Sequence, residues 1–297
     1  MNQRRADFQA IGTNWLLQIN EPVGDTAWIP LFARIKSRIE AFDGTYSRFR
    51  ADSLVGRMAA KAGTYKLPQD GFKMLQFYEQ LYSVTDGKIT PLIGQTIADA
   101  GYDASYSFKT GELHRPPRWE DVLRYDPHEI TVRKPVLLDF GAAGKGYLVD
   151  IIGELVEAAG IRNFMLNAGG DILHRAPASQ SIDVGLENPL DTSEAVGIVR
   201  LANKSLCASA GNKRTWGRFN HIIDPDLLRS PDTVRAVWVL AEDTMTADGL
   251  ATALFFTDPQ TIRSNYSFSY ARLYKDMSMQ YAKDFPVTVF KEAREAN

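Results

Sequence analysis

The 297-residue sequence holds a single cysteine, Cys207. An intramolecular disulfide and a thiolate-built zinc site are therefore excluded, and cysteine usage does not report a redox compartment. No apolar run approaches the ~18 residues that a membrane-spanning helix needs; stretches such as Ala236 to Ala241 fall far short. Charge excess is lacking as well. Lys and Arg total 34 against 36 Asp and Glu, a formal charge of −2, and the basic runs reach no further than Arg4-Arg5 and Lys213-Arg214. That excludes a nucleic-acid surface, which depends on clustered cations. The segment Met1 to Asp7 has no apolar stretch of the kind a secretory leader carries. The sequence as written thus reads as cytoplasmic, or as exported or lipid-anchored if a leader has been removed. Repeats, low-complexity tracts and a clean linker are also missing. What is present, 44 % apolar and 24 % charged residues, is the profile of a folded globular chain. The expectation is one α+β unit over residues 1–297.

Residues 8 to 19 read as a strand interrupted at Ile11-Gly12-Thr13. Ile29, Phe32, Ile35, Ile39 and Phe42 recur at helical spacing and predict a helix from about Pro30 to Phe42. A second helix is expected after Asp52-Ser53, and a third from Asp70, read as its cap. Thr85 to Gly101, with four Gly or Pro residues, reads as a long loop, and 103–128 as an irregular surface connection. Glu129 to Arg133 and Val136 to Phe140 predict a hairpin turning at Lys134-Pro135. A helix from about Ala143 to Ala159, ended by Gly160, has one apolar face. Strands are expected near 163–167, 181–187, 196–201 and 234–240, with turns over 208–225 and a helix over 246–256. The last 40 residues suggest one helix and two or three short strands.

Four segments carry the residue types that chemistry requires. Leu138 to Tyr147 is a glycine-rich turn between an expected strand and a helix, where backbone N–H groups and the helix N-terminus suit a phosphate and Lys145 adds a cation. It matches neither a P-loop nor a dinucleotide fingerprint, and a tight turn with a solvated lysine needs the same residues. Asn167-Ala168-Gly169-Gly170-Asp171 suits a ligand against bare backbone, or a plain turn. Asp248 and Thr252 are four residues apart on an expected helix, so a carboxylate and a hydroxyl share one face. Such oxygen donors suit Mg²⁺; an exposed acid near a helix N-terminus is the simpler reading. His221-Ile222-Ile223-Asp224-Pro225 offers a base, a ligand contact or a core histidine. His114, His128 and His174 are dispersed and read as structural or exposed, and Cys207 reads as a buried apolar residue.

The order and spacing of these segments resemble the FAD:protein FMN transferase (ApbE) family. The match runs through Ile11-Gly12-Thr13, Tyr46 to Ser53, Gly87 to Pro91, Leu138 to Gly146, Asn167 to Asp171, Ala208 to Asn212, His221 to Pro225 and Thr246 to Thr252. The resemblance implies a single T-fold-like α+β architecture with mixed or antiparallel sheets and packed helices. It also implies an enzyme that binds FAD, cuts its pyrophosphate with Mg²⁺ or Mn²⁺, releases AMP, and links FMN by a phosphoester to Ser or Thr of a target flavoprotein. In that reading Asp248, the Thr252 hydroxyl and the Ala142 carbonyl hold the metal, and Asp139 and Lys145 contact FAD. Ile11, Phe49, Lys88, Ile89 and Thr90 match positions around the flavin nucleotide, with His221 and Ile222 beside it. Asp248 and His221 are the two candidates for taking the acceptor proton, with Asp248 slightly favoured.

This chain departs from the family pattern in several places. Lys88-Ile89-Thr90-Pro91 stands for Ala-Phe-Asp-Pro, Ile11 for Met, Ala210 for a hydroxyl residue, and Gly249 for Ala. The alternatives are a metal-dependent FAD pyrophosphatase yielding FMN and AMP, and a non-catalytic FAD-binding protein.

Overall fold

The computed structural model describes residues 2–290. It opens on a hairpin of β1 (Asn2–Ala10) and β2 (Thr13–Val23). Ile11 and Gly12 turn it, both at positive φ (43° and 74°), the form of two-residue loop that follows strand twist. The interruption read in the sequence is therefore a reversal of the chain. Next comes α1 (Asp25–Tyr46), which buries Leu31, Ile35, Ile39, Phe42 and Tyr46 and extends past both ends of the predicted stripe. α2 (Leu54–Ala60) starts where expected, the Ser53 hydroxyl accepting the Gly56 N–H at 2.8 Å. After β3 (Gly63–Lys66) comes α3 (Gln69–Val84). Asp70 does not cap it: Pro68 holds that position without a side-chain bond. The Asp70 carboxylate is drawn instead to Arg38 and Tyr46 of α1.

The expected long loop over 85–101 contains a 3₁₀ turn, Pro91–Ile93, and α4 (Gly94–Asp99). The connection over 103–128 closes with α5 (Trp119–Val122) and β4 (Leu123–Tyr125). β5 (Glu129–Val132) pairs with β3 and β4, and the expected hairpin with 136–140 does not form. There Val136 and Asp139 donate their N–H groups to the Met58 and Pro91 carbonyls at 3.1 and 2.7 Å. The segment is pinned at two points to helical scaffold, without a ladder.

α6 (Gly144–Ala158) leads through Gly160 to β6 (Phe164–Ala168), β7 (Asp171–Arg175), β8 (Ile182–Glu187), β9 (Ala195–Leu201) and β10 (Ser205–Ala210). The region expected as turns is thus partly β10 and the short pair β11 (Thr215–Trp216) and β12 (Phe219–Asn220). β13 (Val234–Ala241), α7 (Thr244–Ala253), α8 (Pro259–Arg263), β14 (Ser269–Tyr274), β15 (Met279–Tyr281) and β16 (Val287–Val289) complete it. The main sheet has the order β1-β2-β6-β7-β10-β13-β14-β15, beside the smaller sheets β3-β5-β4, β16-β9-β8 and β11-β12. Among the described residues all strand pairs are antiparallel, and the fold is α+β as expected. α6 and α7 pack on each other and on the main sheet.

Gly146 explains how close the two helices lie. A Cβ there would stand 2.3 Å from the Thr244 carbonyl oxygen and 2.7 Å from the Asp248 Cβ, so any other residue would force α6 and α7 apart. Asp150 joins them further along, accepting the Thr244 and Met245 N–H groups of α7 at 2.7 and 2.8 Å. Burial pushes the Asp150 carboxyl up to about 6, against those two bonds. Among the described residues no helix is long and apolar enough to cross a membrane.

Candidate active site

A cavity of about 1240 Å³ opens at the end of the main sheet, above the ~300–1,000 Å³ usual for small-molecule pockets. Two hairpin turns meet there, Ile11-Gly12 and Gly169-Gly170, with Trp15 paired to Ala168 and the Gly169 N–H bonded to the Asn14 carbonyl at 3.0 Å. Every site residue expected from the sequence lines this one cavity. Ile11 enters from the first turn and Phe49 from the segment after α1; Lys88, Ile89 and Thr90 precede the 3₁₀ turn. Asp139, Ala142 and Lys145 come from the glycine-rich turn, His221 and Ile222 from the segment after β12, and Asp248 and Thr252 from α7. Ile11 holds φ 43°, a conformation a β-branched residue rarely adopts. Such strain persists where surrounding structure enforces it, and it is concentrated at functional sites.

The glycine-rich turn delivers the α6 N-terminus to the cavity. Asp139 accepts the Gly141 N–H at 2.7 Å and is ion-paired with Arg48 at 2.5 Å. Tyr78 buries its hydroxyl against the Ala143 N–H at 3.0 Å. The Lys145 N–H and the Ala142 carbonyl have no intramolecular hydrogen bond among the described residues, while the Ala142 N–H, like that of Ala143, is directed at the Tyr78 hydroxyl. An unbonded donor at a helix N-terminus suits an anion. Asp248 is 4 % exposed, and its Oδ2 accepts the Gly146 N–H at 2.8 Å. Burial raises its carboxyl, opposed by Lys145 and by that N–H. The Thr252 hydroxyl lies 3.3 Å from the Ser209 hydroxyl. Lys145 does not project freely, because its ammonium is paired with Asp171.

The His221 Nδ1, also lining the cavity, lies 2.9 Å from the Lys213 carbonyl. A carbonyl only accepts, so Nδ1 carries the proton and Nε2 keeps its lone pair. Burial, helped by the Arg214 guanidinium, pushes His221 down to about 4, so the ring is neutral near pH 7. Lys88 reaches the segment that follows His221, holding Asp224 at 2.9 and 3.0 Å and Asp226 at 2.6 Å. Partial burial opposes the Lys88 charge, and the bonds to Asp226 and Asp224 outweigh it and raise its pKa. The Thr90 hydroxyl accepts the Leu92 N–H at 3.2 Å and the Ile89 N–H goes to Thr85 at 3.0 Å, so both serve the local turn.

No sequence motif marks the aromatic wall of the cavity. Phe49 stacks on Tyr106 with centroids 5.2 Å apart and planes 2° from parallel, and Tyr102, Phe108, Trp216 and Phe219 continue the cluster. Arg48 is buried with its guanidinium 4.2 Å from the Phe49 ring and 4.9 Å from Tyr102. The available signal was the spacing Tyr102, Tyr106, Phe108 within a segment otherwise lacking apolar periodicity. Elsewhere Cys207 is buried, with burial pushing its thiol well up. His174 is buried and accepts the Asn203 N–H at 3.3 Å, and exposed His114 pairs with Asp99 at 2.9 Å.

The sequence model of the ApbE family matches residues 11–268, which contain all of these elements of the cavity. The chain belongs to the ApbE family. Curated members that it resembles include the FAD:protein FMN transferase of Vibrio cholerae, 30 % identical over 262 residues, covering 82 % of this chain and 78 % of the relative. The FAD:protein FMN transferase of Rhodobacter capsulatus is 29 % identical over 217 residues; that match covers 68 % of this chain and 41 % of the relative's length. The fold is that of the flavin transferase ApbE from Vibrio cholerae, with a TM-score of 0.77 at 20 % identity over 95 % of this chain and 96 % of that one. Two departures from the ApbE pattern now have a physical reason. Gly249 faces Phe77, whose ring carbon would lie 2.6 Å from an added Cβ. Lys88 is consumed by Asp224 and Asp226, tying the loop before the 3₁₀ turn to the segment after His221.

Proposed function

We propose that this protein transfers FMN from FAD to a Ser or Thr hydroxyl of a target flavoprotein, releasing AMP. The observation that carries this reading is the convergence of motifs from Ile11 to Thr252 on one large cavity. A dinucleotide needs an extended site with an anion-binding centre and apolar walls. The unbonded Lys145 N–H and the Lys145 ammonium at the α6 N-terminus supply the centre, and the aromatic wall supplies a surface for a flat ring.

The oxygen donors at the centre fit a hard divalent cation. Asp248 is a buried carboxylate raised by desolvation, Thr252 adds a hydroxyl, and the Ala142 carbonyl is without an intramolecular donor. Mg²⁺ is commonly held by so small a protein set together with substrate phosphates. When bound, the ion would supply polarisation of the phosphoryl oxygens and charge neutralisation.

The remaining work falls to the chain itself. The α6 N-terminus and Lys145 orient the pyrophosphate and meet negative charge that grows in the transition state. The acceptor hydroxyl forms a new bond to the FMN phosphorus as the bond to the bridging oxygen breaks and AMP departs. Its proton needs a base. Neutral His221, with Nε2 unprotonated, is better suited than Asp248, whose carboxylate is engaged by Gly146 and offered to the cation.

The test is incubation of the protein with FAD, Mg²⁺ and a target subunit. Flavin fluorescence retained on the denatured target, with one AMP per flavin, supports transfer. Free FMN with AMP replaces this reading by hydrolysis, and intact FAD replaces it by binding alone.

A further inference from the structure

The motif Asn167 to Asp171 takes no part in the mechanism above, yet it ends on a charged group with no exposure to solvent. Asp171 begins β7 opposite Ala168, across the Gly169-Gly170 turn. Its Oδ2 is paired with the Lys145 ammonium, while Oδ1, also buried, has no hydrogen-bond partner among the described residues. A carboxylate in that setting is costly and is usually retained for what its partner does. The turn itself is closed without it. The Asn167 side chain accepts the Gly170 N–H at 2.9 Å, and the Gly169 N–H bonds to Asn14 at 3.0 Å. Among the described residues the Asp171 side chain therefore has one polar contact, and that contact lies in the cavity wall.

Lys145 stands in the first turn of α6, with its side chain 23 % exposed, between buried Asp171 and the cavity. Lysine is a flexible stem with much rotamer entropy, and unpinned it swings towards water. We propose that Asp171 is a positioning residue that holds the Lys145 ammonium in the cavity wall, already placed for the phosphate charge that develops during transfer. It also offsets the cation in the ground state, so that Lys145 contributes more to turnover than to FAD affinity. This rests on the reading of the site as an FAD-binding phosphoryl-transfer centre.

The test compares the wild type, D171N, K145A and D171N/K145A in FAD-dependent transfer, with FAD affinity measured by titration. D171N is expected to lower kcat at least tenfold and to change the Kd for FAD less than threefold. The double variant should be no slower than K145A. If D171N slows the K145A background as much as the wild type, Asp171 acts independently of Lys145 and the proposal fails; a wild-type kcat in D171N overturns it equally. K145M/D171L replaces the buried pair by apolar side chains and covers the case in which D171N does not fold. It should match K145M, and a much lower kcat contradicts the proposal. A second readout needs no turnover. In the FAD-free protein, acetylation of Lys145 by an amine-directed reagent, followed by mass spectrometry, should accelerate several-fold in D171N. An unchanged labelling rate overturns the pinning of Lys145 even if the wild type proves to be a hydrolase.

Discussion

Asp248 sits buried in the cavity, where the proposed metal site would use it. Burial raises its carboxyl, so ionising it in place is unfavourable without a counter-ion. Asp248→Ala is expected to reduce transfer at least a hundredfold while melting no lower than the wild type; a variant that transfers at near-normal, Mg²⁺-dependent rates would remove this residue from the metal site. His221 carries a pH signature of the other sign. Its folded pKa, about 4, lies below the unfolded value near 6.5. The neutral ring is therefore favoured in the fold, and its contribution is intact above pH 6.5 and lost as pH falls towards 4. The melting temperature of the wild type relative to His221→Gln should fall across that window, and a difference flat in pH would place the ring in solvent. Asp248 and His221 were legible as candidates only through the order of the family's motifs, since each taken alone reads as an exposed acid or a core histidine. The charge partners of Lys145 and Lys88 were not, since Asp171 lies 26 residues from Lys145 and Asp224 lies 136 from Lys88.

Between elements, the junction of α6 and α7 decides where Asp248 stands. Gly146 permits the approach and Asp150 fastens it by accepting two N–H groups at the start of α7. Asp150 has a folded pKa of about 6, raised by burial above the ordinary value of 3.8. The folded state binds the proton more tightly, so the stability this group contributes declines as pH rises from about 4 to about 6. The stability of the wild type relative to Asp150→Asn should decrease through that window, by on the order of 2–3 kcal/mol, in denaturant titrations at pH 4 and 7. An increase would show that the two N–H bonds outweigh desolvation. Long elements such as α1, α3 and α6 were readable because their apolar stripes repeat over several turns. α4 has six residues and too little length for a period. β10, Ser-Leu-Cys-Ala-Ser-Ala, is mostly buried and built of small residues, so no alternation marks it. Residues 136–140 alternate like a strand, but single bonds to Met58 and Pro91 hold them, and composition does not distinguish the two arrangements.

At the scale of the molecule, the buried apolar residues form two clusters. The larger follows the main sheet and helices; the smaller unites Ile97, Ala100, Tyr102, Trp216, Phe219 and Ile223, with Phe49 packed against it. Residues of both line the cavity. FAD is expected to slow amide exchange at residues 94–108 and 215–223, with β13 and β14 little changed. Hydrogen-exchange mass spectrometry checks this, and protection confined to the main sheet would place the ligand elsewhere. A small satellite core has little apolar area with which to resist opening, so its amides belong to the low-stability end of the molecule. Warming should loosen the satellite before the sheet melts, so that flavin capture is lost some degrees below the main transition, leaving a folded protein with an emptied grip.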